Sequence, residues 1–145
     1  MRTLKCPSGF SLIEVMVASA ILGCAVLSVA QLVATATTAT ADARRVSEAT
    51  LLAWQKIDEL RSLAFAFDDA GLPVTEPRLD PSPAGTLSHD TDGYVERLDD
   101  LYRRRWSIAS AVGHPDLLIL SVRVVAAGRE NELASAVTLR ARRRP

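Results

Sequence analysis

Glu14 is the only charged residue between Gly9 and Ala41, a stretch otherwise made, apart from Gln31, of apolar, small and hydroxyl side chains. From Phe10 to Ala36 the run would form about 40 Å of helix, long enough to cross a hydrocarbon core of about 30 Å. A carboxylate at that depth is costly and rarely lacks a partner. The same run offers no lysine or arginine to pair with it. Arg2 and Lys5 precede the run and are expected to stay on the cytoplasmic side, which sends the rest of the chain outward. The order of parts is the reverse of a secretory signal. Small residues (Pro7, Ser8, Gly9) lie before the apolar run, and Ala39-Thr40-Ala41 falls too late to serve so short an h-region. An anchor explains the run but leaves Glu14 unexplained.

Gly9-Phe10-Ser11-Leu12-Ile13-Glu14-Val15-Met16-Val17-Ala18, behind a basic leader, resembles the prepilin peptidase motif of type IV pilins and type II secretion pseudopilins. The resemblance covers roughly residues 5–35. It implies cleavage after Gly9, so that Gly9 and Phe10 form the cleavage site, and N-methylation of the new terminus at Phe10. It also implies that Glu14 pairs with the Phe10 ammonium of a neighbouring subunit and so sets the axial register of one subunit on the next. Two desolvated charges that are costly apart become tolerable together. Ser19, Gly23, Ala30 and Ala34 stay near one face at steps of four and seven, with Val26 and Leu27 interrupting them. Such a stripe lets helices approach closely in lipid, although ordinary membrane-helix composition explains it equally well. Gly23 resembles a glycine that family members carry in this region. No proline lies between Pro7 and Pro73.

Beyond Ala41 the pattern turns amphipathic. Val46, Ala49, Ala53, Ile57, Leu60 and Ala64 step by three and four and predict one buried face. Glu48, Lys56 and Glu59 are expected elsewhere on the surface, and Trp54 in the core or at an interface. Phe67 to Tyr94 holds four prolines and three glycines and reads as loop. Asp90-Thr91-Asp92-Gly93 faintly suggests a calcium turn but lacks the remaining ligands of a full loop. Alternation then marks three strands. Tyr102, Arg104, Trp106 and Ile108 share one face, Leu118, Leu120, Val122 and Val124 another, and Val137, Leu139 and Ala141 are expected to face the core. Leu98 adds a short strand or turn before them. The expected fold class is α+β: a long N-terminal helix, transmembrane in its first half and amphipathic in its second, packed on an antiparallel sheet of three or four strands. The expected divisions are a leader at 1–9, a transmembrane or filament-core helix at 10–41, an amphipathic helix at 42–66, and loop plus sheet at 67–145. Residues 94–144 loosely resemble minor pilins of the V type and minor pseudopilins of the I type.

The net charge is zero, but it is unevenly spread. Nine acids against Arg78 and Arg97 occupy 68–100, and nine arginines against three acids occupy 101–145. Complementarity within the chain is the plainer reading. The alternative is a basic patch at Arg142, Arg143 and Arg144 that contacts DNA, the lesser of the two partners considered. Cys6 and Cys24 lie about 27 Å apart along a helix and cannot bridge within one chain. His89 and His114 stand alone, no metal-ligand spacing occurs, and no nucleophile motif or phosphate loop appears. No catalytic residue, metal or cofactor is therefore expected. The resemblance implies a non-enzymatic minor pilin or pseudopilin of a bacterial inner membrane, later of a pilus or pseudopilus. Its implied partners are the prepilin peptidase and N-methyltransferase, other subunits, the inner membrane and an assembly platform. A single-pass protein that binds a partner without polymerising is the alternative.

Overall fold

The computed structural model describes residues 11–128 and 131–144. The chain forms two compact units, one ending at Asp42 and one running from Ala43. One helix, α1 (Leu12–Ser62), contributes to both. The second unit adds a two-stranded ribbon, β1 (Phe65–Phe67) with β2 (Pro73–Thr75), and a four-stranded sheet. The sheet is formed by β3 (Val95–Leu98), β4 (Tyr102–Ala111), β5 (His114–Ala126) and β6 (Glu132–Ala141). The sheet order is β3-β4-β5-β6 and every pairing is antiparallel, the expected meander. The fold is α+β, as the sequence predicts.

The core lies between the last four turns of α1 and the inner face of the sheet. Ala49, Ala53, Ile57 and Leu60 meet Trp106, Ile108, Leu118, Leu120, Val122, Val124 and Ala136, with Phe65 and Leu79 closing the ends. Alanine at 49 and 53 keeps the helix close to the sheet, and both are fully buried. Val46 and Ala64, expected in the same stripe, are exposed because the sheet does not reach the first and α1 stops before the second. Trp54 is 45% exposed and takes no part in the core. Lys56 is buried rather than superficial. Its ammonium sits 4.1 Å from the Trp106 ring centroid and 2.8 Å from Glu59 Oε2, so the aliphatic stem packs inward while both partners hold the charge.

Two further expectations are corrected. The segment 67–94 is not all loop, since it holds β2 and a 3-10 turn at Pro77–Leu79. Strand β6 is out of phase by one residue. Register pairs Ala136 with Val122, Thr138 with Leu120 and Arg140 with Leu118 on the inner face, so Val137 and Leu139 point outward at 62% and 61% exposure. A bulge at Val124/Val125 precedes this stretch. The inward arginine is accommodated because it reaches the end of α1, donating from Nη1 to Leu60 O at 2.7 Å and from Nη2 to Leu63 O. Those are carbonyls that a helix terminus leaves without intrahelical partners.

The acidic segment and the arginines meet inside the chain. Asp90 accepts from Arg105 Nε at 2.8 Å and from Arg103 Nη1 at 3.0 Å, and Glu96 accepts from Arg104 Nη2 at 2.6 Å. Arg105 points to the outer face of the sheet yet is 2% exposed, because Ser88 and Asp90 cover it. The same segment closes the upper edge of β4, where Ser82 exchanges hydrogen bonds with the Ile108 backbone. Burial works against the Asp90 carboxylate, but the hydrogen bonds from Arg105 and Arg103 outweigh it and hold its pKa below the ordinary value. Glu59 is held low too, first by the hydrogen bond from Lys56. A carboxylate with a depressed folded-state pKa contributes stability that is present above its unfolded value and lost as pH falls through the folded one. The unfolding midpoint of the second unit should therefore stay level near neutrality and fall below about pH 4. Asp90→Asn should flatten part of that fall. A midpoint that rises on acidification would contradict this account.

Candidate functional site: the N-terminal helix

The helix α1 begins just after Ser11, whose carbonyl accepts from the amides of Glu14 at 3.0 Å and Val15 at 3.3 Å. No Pro interrupts it before Ser62, and it is helical throughout. Every side chain from Ser11 to Glu48 is exposed, among them Leu12 at 82%, Ile13 at 68% and Leu32 at 68%. An apolar surface of this extent is not stable in water unless lipid or another protein covers it. One window of this helix reaches a mean hydropathy of 2.3, so α1 is long and apolar enough to cross a membrane.

Most hydroxyls of this stretch, from Ser28 onward, are satisfied along the helix itself. Ser28 donates to Cys24 O at 2.8 Å, Thr37 to Ala34 O at 2.8 Å and Thr40 to Ala36 O at 2.8 Å. Bonded in this way, they can enter an apolar surrounding without an orphaned donor. Glu14 has no such recourse. It is exposed, and among the described residues it makes no ion pair or side-chain hydrogen bond. Gly9 and Phe10, the expected cleavage and methylation positions, lie outside the described residues. Ser19, Gly23, Ala30 and Ala34 are all exposed, and a Cβ added at Gly23 would meet nothing within 4 Å. A neighbouring helix could therefore approach there, and nothing within the chain requires the glycine.

The arginines fit a ligand surface less well than the sequence suggests. Strands β4 and β6 are separated by β5, so their arginines do not form one row. Arg142 is engaged: its guanidinium lies 4.1 Å from the Phe65 ring, Nε meets Asp116 Oδ1 at 2.8 Å, and Nη1 donates to Thr75 Oγ1 at 2.9 Å. Arg143 and Arg144 are exposed. Asp90, the first acid of the supposed calcium turn, is held by two guanidiniums. Among the described residues no group of three or more His, Cys, Asp or Glu side chains could hold a metal ion.

Sequence reading missed a groove between α1 and the β3–β4 turn. It holds about 640 Å³ and has an apolar floor of Leu51, Leu52, Leu98 and Tyr102. The Tyr102 hydroxyl donates to Glu48 Oε2 at 2.8 Å across one end. That bond and burial raise the Tyr102 pKa. Leu51 at 70% exposure is the signal that could have found it, since it falls outside the buried stripe.

Residues 4–30 match the family model of the prokaryotic N-terminal methylation motif. Comparisons with curated proteins and with solved structures gave no match. The match takes in Gly9, Phe10 and Glu14 and ends before the second unit begins. Such a motif implies processing by a prepilin peptidase and assembly of the pilin type, and the long apolar helix fits membrane anchoring. The motif and the helix behind it support the chain's place among the type IV pilin and pseudopilin-like proteins, as a pilin-like precursor.

Proposed function

We propose that this chain is a minor pilin or pseudopilin, a non-enzymatic structural subunit of a type IV pilus or a type II secretion pseudopilus. In this reading a prepilin peptidase cleaves after Gly9 and the new terminus at Phe10 is N-methylated. The first half of α1 holds the subunit in the inner membrane until assembly and forms part of the filament core afterwards. The second unit lies on the periplasmic side. The observation that carries the reading is Glu14, a carboxylate on the exposed apolar first half of α1 that finds no partner among the described residues. A methylated Phe10 ammonium on the next subunit supplies one at a fixed height. The exposed small positions Ser19, Gly23, Ala30 and Ala34 permit close approach of the helices that bring the two charges together.

The minor class is favoured by the described second unit, which contains no cysteine, so no disulfide closes its long 68–94 segment. That segment is closed by Asp90 with Arg103 and Arg105 instead. The expected result of mass spectrometry on protein extracted from membranes containing the peptidase is a chain that starts at methylated Phe10. Recovery of the chain with Met1 in place, in the presence of active peptidase, rules the reading out.

A further inference from the structure

Two features of α1 take no part in the packing of the second unit. Trp54 is 45% exposed and makes no ring contact or hydrogen bond among the described residues. The groove of about 640 Å³ beside the β3–β4 turn has an apolar floor, and Leu51 on that floor is 70% exposed. Both features ride on one helix at nearly the same height. Leu52 and Trp54 are two residues apart, about 3 Å along the axis and about 160° around it. Strand β4 meets the helix on the groove side, where Tyr102 donates to Glu48 and Arg104 to the Leu52 carbonyl. Trp54 therefore stands on the opposite flank. A half-exposed tryptophan is costly in water and is the commonest kind of anchor where two proteins meet.

We infer that the groove is a docking site for Trp54 of a second copy of this chain, standing beside the first with its α1 parallel. Two observations select this occupant. The first is height. Copies anchored by the same helix in the same membrane run parallel, so a sideways step with an axial shift of about 3 Å carries Trp54 of one copy to the groove of the next. Because knob and groove lie on opposite flanks, the contact is heterologous and passes from copy to copy, where a two-fold pair would set like against like. The second is chemistry. An indole is an apolar body with a single N–H donor and no acceptor. The groove offers the apolar floor and two carboxylates at its rim, Glu48 and Asp99. Asp99 is exposed and makes no hydrogen bond or ion pair among the described residues, so it can accept from that donor. A buried indole removes about 150–250 Å² from water, and the exposed Leu51 side chain is covered with it. The inference rests on the pilin-like reading for one thing, the parallel run of α1 in neighbouring copies.

The test uses the full chain in membranes that contain the peptidase, with the photoreactive p-benzoyl-phenylalanine in place of Trp54. The substitute is aromatic and bulky, so the knob is kept. Illumination should give an adduct of twice the chain's mass, at least fivefold more abundant than with the same group in place of Val112, which is fully exposed at the β4–β5 tip. Peptide mapping should place the new bond within 48–55 or 97–102 of the second copy. Leu51→Glu in the accepting copy puts a charge on the groove floor and should lower the adduct at least fivefold. Leu51 is exposed, so the melting temperature should not change. Equal adducts from positions 54 and 112, a bond mapped outside those segments, an adduct with a different protein, or no effect of Leu51→Glu overturns the inference. Mass spectrometry of the same membranes reads processing separately. A chain cleaved after Gly9 that gives no adduct sinks this contact and leaves the filament reading standing, and an uncleaved chain that gives the adduct does the reverse.

Discussion

Glu14→Leu is expected to leave membrane insertion and cleavage after Gly9 intact while incorporation into filaments falls by at least tenfold. The substitution makes the helix more apolar, so insertion is if anything favoured. The effect appears only where helices meet. In an assembled core the Phe10 ammonium would then be desolvated with nothing opposite it, and an uncompensated buried charge costs about 3–5 kcal/mol. Every 1.4 kcal/mol is a factor of about ten in an association constant, so even partial relief by water or lipid headgroups leaves a loss easily seen on a blot of sheared filaments. Glu14→Gln separates charge from hydrogen bonding. It can still accept from an ammonium, and its defect should be smaller. If Glu14→Leu assembles as well as the parent, pairing between subunits is wrong, although cleavage at Gly9 could still occur. The hydroxyls along the same helix predict the opposite behaviour. Thr37 and Thr40 bond to their own backbone, so alanine at either should change assembly little.

How far the sequence could be read depended on whether the relevant contact was local. The N-terminal motif is linear, and residues 4–30 match its family model without help from tertiary structure. The faces of β4 and β5 were legible because Trp106, Ile108, Leu120 and Val122 are both apolar and inward. In β6 the same rule failed. Period-two patterning has two phases, and hydrophobicity favoured the one that buries Val137 and Leu139. The true phase is decided by a distant partner, since Arg140 and Arg142 cover apolar surface with their stems and pass their charge to carbonyls and to Asp116. Lys56 was misplaced for the same reason, because its burial depends on Trp106, 50 positions away in sequence, and on Glu59. The β1–β2 ribbon has three residues per strand and begins its second strand on Pro73, so no window shows a period. The groove at Leu51 arises where two elements diverge, and pattern within either one cannot reveal it.

Arg140→Met should be the most damaging single change in the second unit outside its apolar core. The guanidinium donates to Leu60 O and Leu63 O, joining the last strand to the end of α1. Burial lowers its pKa, with the nearby charges of Arg61 and Arg143 adding to the effect, yet the guanidinium stays charged, and the two carbonyls are what solvate it there. Methionine fills much of the volume and leaves those two acceptors without their donor, at a cost of about 2–4 kcal/mol. For a unit of this size each 1 kcal/mol lowers the melting temperature by roughly 4–8 °C, so a fall of about 10 °C or more is expected in thermal unfolding followed by tryptophan fluorescence. Arg140→Lys keeps the charge but loses the planar fork that reaches two carbonyls at once, and should fall between methionine and the parent. Arg144→Met, at an exposed position, should stay within about 0.5 kcal/mol of the parent. If Arg140→Met and Arg144→Met melt together, the arginine does not hold the helix end. The inward phase of β6 would then need a different cause from the one given by its contact with α1.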